Sequence, residues 1–228
     1  LVLSFSGNAF IKKGYTVIKK AIDKKIALFL YDYLLLKRKV TCHLFKENYF
    51  SPFDTILGQM GDTQVPETYN HYADIMMETL LIKLKPLMEK IVKYKLVPTY
   101  SYTRIYKKGD VLHRHKDRPS CEISTTLNIG GDEWPIFIDE TGTNNIISGG
   151  ETTTVVRPGA PKGTKVILKP GDMLVYKGCD LEHWREAFKG ENCAQTFLHY
   201  NRAEKKNNNQ FDGRPFIGLP SYFNNAPK

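Results

Sequence analysis

Tyr106–Asp117 reads Y-K-K-G-D-V-L-H-R-H-K-D, and its last three residues, His115-Lys116-Asp117, form an H-x-D triplet. On a strand, side-chain direction repeats every second residue, so this imidazole and this carboxylate share a face. Downstream, Pro170–His183 reads P-G-D-M-L-V-Y-K-G-C-D-L-E-H. A Pro-Gly-Asp turn feeds a short apolar strand, and the segment ends on a second imidazole. Two imidazoles and one carboxylate drawn from two strands make the 2-His-1-carboxylate face that holds Fe(II) with positions left open. His113 also lies two residues from His115, but only His115 has a carboxylate at the right offset. His113 is therefore read as non-ligating.

Working outward, the chain after Pro98 is a series of short β-type runs. They are Thr99–Tyr106, Ser120–Ile129, Trp134–Asp139, Thr152–Arg157, Lys165–Leu168, Met173–Tyr176 and Cys193–Tyr200, separated by Gly- and Pro-rich turns. Strands at this spacing predict a sandwich or jelly roll. Before Pro98 the pattern is helical. Apolar residues at i, i+4 spacing predict an amphipathic helix over Asp23–Lys37. From Pro66-Glu67 a second apolar face runs through Tyr69, Tyr72, Ala73, Met76, Met77, Leu80, Leu81 and Leu84. Pro66 suits the start of that helix, and Pro86 is expected to break or kink it before a continuation at Leu87–Tyr94. The face is read as core, backing a sheet. Between the two helices, Ser51-Pro52, Gly58, Gly61-Asp62 and Pro66 mark a long surface loop, of the kind found over a site. The expectation is one α+β domain over residues 1–228, with mainly helical support in 1–96, a jelly-roll core in 97–202 and an extension in 203–228.

The chain has 228 residues, enough for a sizeable core. No apolar run approaches the roughly 20 residues that span a bilayer. The apolar start Leu1–Phe5 is too short for a signal segment and lacks a basic flank. Cys42, Cys121, Cys179 and Cys193 form no C-x-x-C pair and are read as reduced thiols, which points to a cytoplasmic setting. The net charge is +9, with the lysines dispersed as a solvated surface rather than gathered with aromatic residues, so nucleic acid is not the favoured partner. P-loop, G-x-G-x-x-G and hydrolase-elbow motifs are absent from the sequence.

With these flanks the stretch Val97–Arg202 resembles the iron- and 2-oxoglutarate-dependent dioxygenases, most nearly the prolyl 4-hydroxylase-like branch. The resemblance implies a double-stranded β-helix (jelly roll, cupin-like) core with the N-terminal helices packed on its major sheet. It implies His115, Asp117 and His183 as ligands of Fe(II), with 2-oxoglutarate and O2 as co-substrates and ascorbate as an accessory. The implied reaction is hydroxylation of a C–H bond, with a prolyl residue of a peptide or protein as substrate. Strand alternation places Tyr102, Arg104 and Tyr106 on one face, so Tyr106 can donate its hydroxyl, and Arg104 its fork, to a 2-oxoglutarate carboxylate.

The chain departs from the family in one respect. The related hydroxylases carry a Lys or Arg a short way past the distal histidine, where this chain has Glu191-Asn192-Cys193-Ala194-Gln195. A buried carboxylate needs a charged or multiply hydrogen-bonded partner, so another group must serve. Arg185 is the first choice, Arg104 the second, and Arg118 or Lys189 the third. The same departure supports an alternative, a cupin-like metal-binding module that does not turn over 2-oxoglutarate. The AlkB-like nucleic-acid demethylases carry two arginines on the corresponding strand; that pair is missing, and this reading ranks third. Gly149-Gly150-Glu151-Thr152 resembles a Gly-Gly-Glu-Thr stretch of prolyl hydroxylases. Arg118 and Glu122 are read as an ion pair or as substrate contacts, and Trp134 and Trp184 as walls of a groove.

Overall fold

The computed structural model describes residues 7–51, 53–149 and 153–223. The chain runs through α1 (Gly7–Lys13), β1 (Tyr15–Ile18), α2 (Lys24–Lys46), β2 (Gln59–Met60), β3 (Tyr69–Tyr72) and α3 (Ile75–Val92). The strands β4 (Leu96–Lys107), β5 (Leu112–His115), β6 (Ile123–Gly131), β7 (Ile136–Ile138), β8 (Ile146–Gly149) and β9 (Thr154–Val156) follow. Then come β10 (Thr164–Val166), β11 (Met173–Lys177), β12 (His183–Arg185) and β13 (Asn192–Arg202).

These strands form two main antiparallel sheets and a hairpin. The larger sheet has the order β1-β11-β6-β13-β4-β3-β2, the smaller β10-β7-β12-β5, and β8 pairs with β9. This is the expected jelly roll, open rather than closed into a barrel. The outer face of the larger sheet carries Ile105, Ile123, Leu127, Met173, Val175, Ala194, Leu198 and Tyr200, packed against Leu30, Leu34, Met77, Leu81 and Met88 of α2 and α3. Tyr200 also donates its hydroxyl to the Leu81 carbonyl at 2.7 Å, so the strand and the helix behind it are tied by a buried bond as well as by apolar area. Between the sheets lie Ile136, Ile138, Leu174, Tyr176 and Leu181 on one side and Tyr106, Leu112, Trp134, Phe188 and Phe197 on the other.

Several elements differ from the sequence expectation. Residues 69–72 form a strand, not the first turn of a helix. Asn70, His71 and Tyr72 pair with Arg104, Thr103 and Tyr102 of β4. Glu67 and Ala73, at φ 56° and 60°, stand outside helical space on either side. The helix starts after Asp74, whose carboxylate caps it by accepting from the Met77 N–H at 3.1 Å. Pro86 does not break α3, which continues to Val92 and ends at a left-handed Lys93. Helix α2 extends nine residues past Lys37, to Lys46; there Thr41 is buried and donates to the Leu57 carbonyl at 3.0 Å, which ties the extra turns to the following loop. The N-terminal stretch is more than helical support, because β1, β2 and β3 complete the larger sheet. Leu1–Phe5 and Gly150-Glu151-Thr152, for which the sequence raised expectations, lie outside the described residues.

Candidate metal centre

Residues β5 and β12 are neighbours in the smaller sheet, and His183 is the register partner of His115. Asp117 lies just past the end of β5 rather than on it, held by its N–H to the Gly178 carbonyl at 2.9 Å. The three side chains meet. Asp117 Oδ1 is 3.6 Å from His115 Nε2 and 3.4 Å from His183 Nε2, and the three donor atoms lie within 4.8 Å of one another.

The backbone selects the tautomer of both histidines. His115 Nδ1 donates to the His113 carbonyl at 2.7 Å, and His183 Nδ1 donates to the Leu181 carbonyl at 3.0 Å. Both Nε2 lone pairs are thereby turned toward Asp117, as a metal requires. Burial, and then the neighbouring His183, lower the His115 pKa and keep that ring neutral. Burial would raise Asp117, but the imidazoles of His183 and His115 outweigh it and hold the carboxyl well below its usual range. Two imidazoles with Nε2 turned inward and an ionised carboxylate are a donor set suited to a divalent first-row metal.

The outward side chains next to these residues lock the two strands together. Arg114 sends Nε to Glu182 at 2.7 Å, Nη2 to Asp139, and Nη1 to the Pro161 carbonyl at 2.8 Å, and its guanidinium lies over Trp184 at 4.2 Å. Glu182 also accepts from the Asn145 N–H at 2.7 Å. Alternation explains the division of labour: Arg114 and Glu182 flank His115 and His183 and so point the other way.

A cavity of about 530 Å³ opens over the three residues. Tyr102, Arg104 and Tyr106 of β4 line it, as alternation required, together with Tyr100, Phe197 and His199 from the larger sheet. The loop between β2 and β3 adds Asp62, Thr63 and Gln64, a contribution the sequence indicated only as a loop over a site. Gln64 Nε2 is 3.4 Å from His115 Nε2, and the Tyr176 hydroxyl is 3.4 Å from His183 Nε2. His113 lines the cavity but is not among the three converging groups.

The two arginines differ. Arg104 is paired with Asp62, accepted by Gln64 at 3.0 Å, and donates to the Tyr106 hydroxyl at 3.2 Å. Burial would lower its pKa, but Tyr106, Tyr102 and Asp62 together raise it. Arg185 is 1% exposed, and among the described residues no carboxylate pairs with it. Its guanidinium donates to the Trp134 carbonyl and to the Thr126 hydroxyl at 3.3 Å, its Nε has no partner among the described residues, and burial lowers its pKa. It acts electrostatically on Cys193, Tyr106 and Tyr176. Arg185 of β12 thus places a cation beside Cys193 of β13.

Other expectations need correction. Arg118 and Glu122 do not pair with each other: Arg118 grips Asp212 at 2.7 and 2.6 Å, and Glu122 holds Arg202 at 2.6 Å. Neither tryptophan lines the cavity over His115. Trp134 packs with Tyr106 and Phe188, and Trp184 stacks on Phe137 at 5.7 Å on the far side of the sheet.

No family model matches the chain, and no curated protein matches it in sequence. Solved structures do match its fold. HygX from Streptomyces hygroscopicus, with nickel and 2-oxoglutarate bound, superimposes with a TM-score of 0.59 at 16% identity, over 86% of each chain. The chain has the fold of the 2-oxoglutarate- and iron-dependent oxygenases. AviO1 from Streptomyces viridochromogenes Tue57 shares this oxygenase fold with a TM-score of 0.59 at 12% identity, covering 90% of this chain and 97% of the other. A prolyl hydroxylase from Trichoplax adhaerens, in complex with a hypoxia inducible factor peptide fragment, does so with a TM-score of 0.56 at 11% identity, over 87% and 89%. No helix among the described residues is long and apolar enough to cross a membrane.

Proposed function

We propose that this oxygenase-fold protein is an Fe(II)- and 2-oxoglutarate-dependent dioxygenase that hydroxylates a C–H bond. The observation that carries the reading is the convergence of His115, Asp117 and His183 with both Nε2 atoms freed by backbone hydrogen bonds. Iron, 2-oxoglutarate and O2 together supply the oxidising power, with 2-oxoglutarate leaving as succinate and CO2. The protein's own residues supply the rest. His115, Asp117 and His183 hold the metal. Arg185 anchors the distal carboxylate of 2-oxoglutarate: it does not itself line the cavity over His115, but it lies beside Tyr106, which does, and among the described residues it is a buried cation without a carboxylate partner and with an unpartnered N–H, a group that gains most from a carboxylate. Tyr106 lines the cavity within electrostatic reach of Arg185 and donates to the same carboxylate. Arg104, already matched by Asp62, shapes the cavity wall.

The substrate proposed is a prolyl residue of a peptide. A cavity walled by Tyr100, Tyr102 and Phe197 suits a single apolar ring, and its size suits one side chain or a small molecule. Two neighbours in fold were solved with a peptide fragment and with hygromycin B, respectively. The test loads the protein with Fe(II) anaerobically, admits O2 with 2-oxoglutarate and a panel of proline peptides, and measures succinate and hydroxylated product. Succinate from the wild type and none from His115→Ala supports the reading. Metal binding without any succinate would leave the cupin-like binding module in its place.

A further inference from the structure

The two oxygens of Asp117 have different partners. Oδ1 faces the imidazoles. Oδ2 accepts from the Ser124 hydroxyl at 2.6 Å. Ser124 has one proton to give, and the charged Asp117 oxygen at 2.6 Å is a nearer and stronger acceptor than the Cys121 carbonyl at 3.1 Å. With that proton on Asp117, its 3.0 Å contact with His199 Nδ1 runs the other way, and the imidazole N–H donates to the serine oxygen. His199 is itself fixed, 5% exposed, with its ring 4.6 Å from that of Tyr100. Gly178 completes the arrangement. A Cβ there would stand 2.3 Å from Asp117 Oδ2 and 2.4 Å from Ser124 Oγ, so only glycine lets the pair close. Ser124 of β6 and Gly178 in the turn after β11 thus close on one carboxylate oxygen, and His199 of β13 backs the serine.

A carboxylate can bind a cation through one oxygen or both, because its terminal torsion is broad. Committing Oδ2 to Ser124 leaves Oδ1 alone for the metal. We propose that Ser124 and His199 are positioning residues that hold Asp117 as a one-oxygen ligand and so keep the remaining metal positions open. The proposal rests on the iron-centre reading of the site.

The experiment titrates Co(II) anaerobically into wild type, Ser124→Ala, Ser124→Thr, His199→Phe and His199→Asn. It records affinity and the visible ligand-field bands with and without 2-oxoglutarate, and the melting temperature of each metal-free protein. Ser124→Ala and His199→Phe are expected to bind Co(II) about 10- to 100-fold more weakly, with shifted bands and a blunted response to 2-oxoglutarate. Ser124→Thr keeps the hydroxyl and His199→Asn keeps an N–H at similar reach, so both recover most of the affinity and the wild-type bands. A loss tracking melting temperature in all four variants would overturn the proposal, as would unchanged affinity and bands in Ser124→Ala. A wild type that fails to bind Co(II) would overturn the iron-centre reading itself and this proposal with it.

Discussion

His183 stands opposite His115 in the register of two antiparallel strands, and the two rings lie 4.3 Å apart. Imidazoles at that separation, each with Nδ1 tied to the backbone, offer two Nε2 atoms to one point. Replacing His183 by Ala removes one of them and also a group that helps keep Asp117 ionised. The variant is expected to lose more metal affinity than the roughly 100-fold that an outer hydrogen-bonding partner can cost. Equilibrium dialysis against Mn(II) measures it.

Arg185 and Arg104 are expected to respond in opposite ways to replacement by Met. Arg185 is a buried charge with no carboxylate partner, so Arg185→Met leaves the metal-free protein as stable or more so. It should raise the KM for 2-oxoglutarate at least tenfold. Arg104→Met takes the cation from the Asp62 carboxylate, whose side chain is 17% exposed and which keeps its bonds from Tyr102, Gln64 N–H and Val65 N–H, and costs about 2 kcal/mol. Urea titration and steady-state kinetics on both variants separate the two roles; a larger KM effect from Arg104→Met would exchange them.

Arg114 holds two buried carboxylates, Asp139 and Glu182, on the outer side of the strands that bear the histidines. Arg114→Leu leaves both unpaired. A loss of about 3–5 kcal/mol is expected in urea unfolding, with weaker metal binding because β5 and β12 are no longer clamped.

Stability should fall on mild acidification. Burial lowers the His199 pKa from 6.5 to about 4, and burial also lowers those of His71 and His115. Between these limits the unfolded chain takes up a proton at His199 that the folded chain refuses. The contribution is therefore complete above pH 6.5 and is lost progressively toward pH 4, about 3 kcal/mol at most for His199. In metal-free protein, His199→Asn should flatten the fall of melting temperature over that window while leaving the parts due to His71 and His115.

The legible parts of the fold were those with local causes. Gly109, at φ 89°, turns the chain between β4 and β5 in a conformation that glycine adopts without strain. Strands β4, β6, β11 and β13 announced themselves by apolar runs between turn residues. Residues 69–72 were misread because Tyr69, Tyr72 and Ala73 continue the helical spacing of α3, and only pairing with β4 makes them a strand. Among the site's neighbours, Ser124 and His199 carried no signal of their own, since a serine on one strand and a histidine on another acquire a role only when the serine reaches Asp117 and the histidine reaches the serine.

By itself the sequence determined the alternation of strands and turns and the three donor side chains, because periodicity, turn chemistry and donor type are properties of short segments. Tertiary structure alone decided that β12 lies beside β5, that Arg104 is matched by Asp62 while Arg185 is left without an anion, and that one oxygen of Asp117 is already engaged. Those outcomes depend on which strands become neighbours and on what burial removes from water, and both are set by the packing of the whole chain.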